Sequence, residues 1–155
     1  MNMKSLVLAV SALMVAGLSH AGEPMTVEEV ARAARDGVTF VDNDYISARQ
    51  AANPELLLLD VRSEGEFSMG HIPGARSMAR GVAEFRMAET VRDADAEIIL
   101  YCATGARAAL VQKALAEQGY RNVSAHEGFD TWAAAGLPVE NTYGTFRLIE
   151  RKRAD

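Results

Sequence analysis

The chain has 155 residues, 49% of them hydrophobic and 24% charged, with a formal net charge of −5 and a single cysteine. An acidic balance with no basic face excludes a nucleic-acid-binding role, and one cysteine excludes an internal disulfide. The apolar fraction is that of a chain that buries a core rather than a disordered one.

The first elements are read from the N-terminus. Met1 to Lys4 carry one positive charge, Ser5 to Leu18 are almost all apolar or small, and Ser19-His20-Ala21 fits the small-x-small cleavage pattern. This predicts a secretory signal peptide over residues 1–21, cut after Ala21. Its apolar stretch is shorter than the ~20 residues a spanning helix needs. The expected destination is the periplasm or the exterior, with no stable membrane association after removal. Residues 22–155 would then form one domain of roughly 130 residues. A lone cysteine kept in an oxidising compartment marks a reactive thiol or an intermolecular bond.

Thr26 and Glu29 form a capping box ahead of helically spaced Val27, Val30, Ala31 and Ala34, and Gly37 ends that helix. Val38 to Val41 read as a short strand and Asp42-Asn43-Asp44 as a turn. Ile46 to Ala51 read as a short helix stopped by Asn53-Pro54. Leu56 to Leu59 are a continuous apolar run of strand length, as in a parallel sheet buried on both faces. A loop from Asp60 to Phe67 leads into a helical turn. His71 to Ala75 form a tight turn around Pro73 and Gly74. Arg76 to Met78 suggest another short strand, and residues 82–92 a helix. Ile98 to Tyr101 are the next strand. Ala106 to Gln118 are a helix ended by Gly119, Asn122 to Ala125 a last strand, and Phe129 to Ala135 a last helix ended by Gly136 and Pro138. Strands alternating with helices predict an α/β fold with a parallel sheet. Trp132 reads as core, and the basic cluster from Arg147 to Arg153 as a solvated tail.

The chemistry concentrates where the strand ending at Tyr101 runs into Cys102. Ala103, Thr104, Gly105, Ala106 and Arg107 follow as a strand-to-helix turn. Such a turn surrounds the sulfur with backbone N–H groups beside a helix N-terminus, and favours an anion there. A thiolate fits that environment, and so does a thiolate carrying an extra sulfur. Gly105 permits the backbone angles of a closed ring. Arg107 can face an anionic ligand or pair with a nearby carboxylate.

Four segments together resemble the rhodanese family: Leu59-Asp60-Val61-Arg62, Gly70 to Ala75, Tyr101 to Arg107, and Gly128 to Trp132 continuing to Val139. The resemblance covers about residues 46–139. It implies a rhodanese-like parallel sheet of about five strands with helices on both faces, and a sulfurtransferase acting through a Cys102 persulfide. It further implies a small sulfur-donor anion such as thiosulfate, a thiol or cyanide acceptor or a protein thiol partner, and no metal or organic cofactor. Asp60 and Arg62 would brace the active-site region, sometimes touching substrate, and His71 would brace its turn. Three positions depart from the pattern. Ala103 replaces a basic residue common in thiosulfate users, Glu127 replaces a glycine, and His126 stands where an apolar residue is common. His126 and Glu127 are expected in a loop that could approach the site. Alternatives are a persulfide relay or a binding module serving a protein partner. A phosphatase or arsenate reductase of the same fold is disfavoured, because those enzymes have five residues between cysteine and arginine and this chain has Ala103 to Ala106.

Exported protein is expected to begin at Gly22. Intact mass of the secreted material checks this, and a start at Met1 would contradict the signal-peptide reading.

Overall fold

The computed structural model describes residues 24–148, so the expected signal peptide and the end of the basic tail lie outside the described residues. The capping box of helix α1 (Val27–Arg35) is closed from both sides: Thr26 N–H donates to Glu29 (2.8 Å), and Glu29 N–H to Thr26 Oγ1 (3.3 Å). Strand β1 is short (Phe40–Val41). Residues 42–44 are not a free turn. Asp42 Oδ1 accepts from Tyr45 N–H (2.8 Å) and caps helix α2, which therefore runs Asn43–Ala52 rather than from Ile46. The residue types that favour turns also favour caps, because both uses place a side-chain oxygen on a nearby amide.

Strand β2 (Leu57–Asp60) leads through Ser63 into helix α3 (Glu64–Met69). Ser63 and Glu66 build a second capping box there. Strand β3 (Arg76–Ser77) is followed by a 3₁₀ turn (Arg80–Val82) that runs into helix α4 (Ala83–Thr90). Strand β4 (Ile98–Tyr101), helix α5 (Ala106–Glu117), strand β5 (Val123–His126) and helix α6 (Phe129–Ala134) complete the alternation. A hairpin of β6 (Val139–Asn141) and β7 (Gly144–Phe146) then folds back, paired to the His71 turn by reciprocal backbone bonds between His71 and Glu140.

The main sheet is parallel throughout, ordered β1-β5-β4-β2-β3. Alternation along its strands feeds two cores. Leu59, Ile98, Leu100 and Cys102 face the side that buries Ala83, Met87, Ala108, Val111 and Leu115 of α4 and α5. Leu58, Ile99 and Tyr101 face the other, with Ile46, Ile72, Trp132 and Val139. Both faces are covered, as all-parallel sheets require. Strands β2, β4 and β5 end at one edge, with Asp60 opposite Tyr101, and the loops after them meet there, where such sheets place their sites.

His126 belongs to strand β5 and is fully buried, not in a loop. Its Nδ1 accepts from Gly128 N–H (3.1 Å), so Nε2 carries the proton and donates to Asn43 Oδ1 (2.8 Å). Burial lowers its pKa, outweighing the nearby charges of Glu127 and Asp42. The folded state thus resists a proton that the unfolded state accepts near pH ~6.5, so this contribution to stability is complete above ~6.5 and is lost on acidification below it. Urea midpoints are expected to fall between about pH 7 and 5, and His126→Gln, which keeps a donor toward Asn43, to flatten that slope. Equal slopes in the two proteins would show that His126 does not carry the effect.

Candidate active site

Strand β4 delivers Cys102 to the sheet edge, where it is 1% exposed. The loop beyond it is defined by where its carbonyls go. Cys102 O accepts from Phe129 N–H (2.7 Å) and Ala103 O from Asp130 N–H (3.1 Å). Thr104 O accepts from Arg35 Nη1 (2.9 Å) and Gly105 O from Ala109 N–H (2.9 Å). Four consecutive carbonyls are thus drawn out of the loop. The N–H groups of Ala103 to Ala108 have no protein acceptor among the described residues. Consecutive uncommitted amides after a cysteine, at the N-terminus of a twelve-residue helix, favour negative charge there.

Two glycines make this packing possible. Gly105 has φ +86°, a region that L side chains rarely enter, and a methyl group there would lie 2.5 Å from Arg35 Nη1. Gly128 has φ +122°, and a methyl group there would lie 2.1 Å from Ala103 O. It therefore lets α6 begin against the loop.

Arg107 lies on the first turn of α5 and pairs with Glu66 through both guanidinium arms (2.8 and 3.1 Å). The Arg107 hydrogen bond, helped by Ser63 N–H, holds the Glu66 carboxyl well below the usual carboxylate range. Glu66 in turn raises the Arg107 pKa, outweighing the opposite effect of partial burial. A groove of about 820 Å³ opens next to Arg107, lined by Val61, Arg62, Ser63, Arg80 and Phe85 among others.

Asp60 ends β2 at the same edge and Arg62 follows two residues on, 0% and 5% exposed. Arg62 grips both Asp60 oxygens (2.6–3.0 Å), donates to Gly70 O (2.7 Å) and stacks on Phe129 at 4.2 Å. Since Phe129 N–H holds Cys102 O, this buried pair reaches the loop through one residue. Tyr101 sits against it, its hydroxyl kept from ionising by burial and by the Asp60 charge. His71 makes its contacts elsewhere. Its ring stacks on Phe67 at 3.7 Å, with Nδ1 at Phe67 O and Nε2 3.3 Å from Glu140.

Sequence reasoning missed Arg35, Glu66 and Phe129 as parts of this site. Glu66 had a signal, since Ser63-x-x-Glu66 is a capping-box pattern. Glu127, which departs from the family pattern, is the partner of Arg35 at 2.5 Å.

The chain matches the family profile described as "Rhodanese-like domain" over residues 42–135. A sulfurtransferase of Allochromatium vinosum is 34% identical over 103 residues, covering 66% of this chain and 94% of the relative. The thiosulfate sulfurtransferase GlpE of Haemophilus influenzae is 38% identical over 88 residues, covering 56% and 82%. Among solved structures, the polysulfide-sulfur transferase homodimer of Wolinella succinogenes superposes with a TM-score of 0.61 at 30% identity, covering 72% of this chain and 84% of that one.

Breaking the buried pair from one side strands a charge. Arg62→Met is expected to cost about 3–5 kcal/mol, and Asp60→Leu/Arg62→Met distinctly less, because the double change leaves no buried ion. Denaturant unfolding of the single and double variants checks this. A double variant as unstable as the sum of its parts would show that the two groups act independently.

Proposed function

Since the chain belongs to the rhodanese-like family, we propose that it is a sulfurtransferase that carries a sulfane sulfur on Cys102. The observation that supports this most directly is one buried cysteine followed immediately by a run of uncommitted backbone N–H groups at a helix N-terminus. With thiosulfate as donor, the Cys102 thiolate attacks the outer sulfur. A Cys102–sulfur bond forms, and the bond to the sulfonate sulfur breaks with its electron pair leaving on sulfite. A thiolate or cyanide then attacks the outer sulfur, forming a persulfide or thiocyanate and returning the electron pair to Cys102.

Both steps begin and end with an anion in the loop and neither needs a proton from the protein. Backbone N–H groups suit that task because they stabilise charge without titrating. Arg107 sits where it can attract an anionic donor while Glu66 holds it, and the neighbouring groove offers room for the acceptor. Asp60 and Arg62 act as a brace through Phe129. His71, engaged with Phe67 and Glu140, acts as a brace of its turn. The proposed setting is the periplasm or the exterior, with a small thiol or a protein thiol as acceptor.

Four residues between Cys102 and Arg107 make a ring suited to one sulfur rather than to a tetrahedral oxyanion, whose oxygens need donors near ~2.7–3.1 Å on several sides. Incubation with thiosulfate is expected to add about 32 Da, one sulfur atom, to the intact protein, and an added thiol to remove it. Cys102→Ser should abolish both the adduct and turnover. Turnover surviving in Cys102→Ser would sink the persulfide. Hydrolysis of p-nitrophenyl phosphate at rates comparable to sulfur transfer would assign the other class. A stable adduct that neither small thiols nor cyanide discharge would identify a relay for a protein partner.

A further inference from the structure

Of the four outward carbonyls, three are held by backbone N–H groups and one by a side chain. Cys102 O, Ala103 O and Gly105 O are anchored by Phe129, Asp130 and Ala109. Thr104 O is anchored by Arg35 Nη1, and no other donor reaches it among the described residues. Arg35 is the last residue of α1, ahead of the residues matched by the family profile. Its other arm takes Glu127, its guanidinium lies 4.1 Å above the Phe40 ring, and α1 packs along α5. A flat fork fixed by a carboxylate, a ring and a carbonyl has little freedom left.

The Thr104–Gly105 peptide is the weak point of the loop. Rotating that plane by half a turn changes ψ of Thr104 and φ of Gly105 and little else. Glycine at +86° can take the negative counterpart of that angle at no steric cost. The flip would turn the Gly105 N–H away and point the Thr104 carbonyl toward the sulfur, exchanging a donor for an acceptor in the ring. Backbone contacts prevent the flip at the other anchored carbonyls.

We infer that Arg35, set by Glu127, is a positioning residue that locks the Thr104–Gly105 peptide in the orientation that keeps the ring receptive to an anion. The inference rests on the sulfur-transfer reading for its consequence and on the loop geometry for its cause. The pair is partly solvent-exposed, Arg35 at 31% and Glu127 at 44% of the side chain, so it belongs to the class of ion pairs that contribute little to global stability. Its loss should therefore separate activity from stability.

The test compares wild type, Arg35→Ala, Arg35→Lys and Glu127→Gln in the full chain. Readouts are the melting temperature, the rate of Cys102 alkylation by iodoacetamide at fixed pH, the Gly105 amide resonance, and kcat and KM with thiosulfate and cyanide. Arg35→Ala is expected to shift the melting temperature by at most about 5 °C. It should lower both alkylation rate and kcat by about 10- to 100-fold, with KM little changed, as expected for one misdirected donor. The Gly105 resonance should move. Arg35→Lys should recover part of the rate, since an ammonium can reach Thr104 O but cannot hold Glu127 in the same plane. Glu127→Gln should fall between them. An unmoved Gly105 resonance with wild-type alkylation would overturn the inference, as would a kcat loss matched by the loss of folded protein. Absence of a persulfide in wild type would instead overturn the sulfur-transfer reading, while alkylation and the Gly105 signal still report on the lock.

Discussion

The structure around Cys102 depends on one constraint: four successive carbonyls must be turned out so that the amides following them stay uncommitted. A chain segment does not do this by itself, because each N–H it leaves free is a donor without a partner. The carbonyls of Cys102 and Ala103 are held by the first amides of α6, and that requires α6 to begin against the loop. Gly128 permits the approach, at a distance no side chain could share. Gly128 N–H is itself held by His126, whose ring is fixed by Asn43 at the start of α2. A buried histidine on an inner strand thus sets the height at which a helix meets the Cys102 loop.

Three arginine–carboxylate pairs converge on this edge, and their surroundings give them different weights. Asp60–Arg62 is nearly inaccessible, so its intact form contributes modestly while removal of one partner is severe. Glu66–Arg107 is about a third exposed on each side. Glu66 also closes the cap of α3, and the pair fixes a cation on the first turn of the helix that follows Cys102, so its effect is on the local field more than on the fold. Arg35–Glu127 is exposed to a similar degree, yet one of its arms ends on a backbone carbonyl of the loop. For such a pair the geometry it enforces outweighs the energy it contributes.

The α/β alternation, the strand into Cys102 and the glycine-bearing turn after it were legible because each follows from local pattern. An apolar run of strand length, a capping box and a glycine stop are short-range signals. Residues 42–44 misled because a cap and a turn draw on the same residues. The β6–β7 hairpin escaped because Val139 to Phe146 lacks a two-residue glycine turn between alternating apolar residues. His126 reads as loop because its strand has an irregular pattern, and one of the two partners of its buried ring, Asn43, lies 83 residues away. Arg35 was invisible for the same reason. A basic residue on the last turn of an amphipathic helix is what the helix dipole favours on any surface, and its partners lie 69 and 92 residues away. Local residues wrote the ring, and long-range partners hold it open.

Burial of Cys102 gives the ring a direction. Cys102 is 1% exposed while Thr104, two residues on, is exposed. In the sulfur-transfer reading, loading extends the side chain by one sulfur–sulfur bond, about 2 Å. The negative charge thereby moves outward, from the floor of the loop toward its mouth. A set of amides spread from Ala103 to Ala108 can meet the charge at both positions, whereas a single fixed cation would favour one of them. Arg107 has both guanidinium arms engaged by Glu66, which limits how strongly it can hold either state. A carrier that must both accept and release an anionic sulfur needs the two states close in free energy. Distributed backbone dipoles, held by outward carbonyls, supply that balance without themselves gaining or losing a proton.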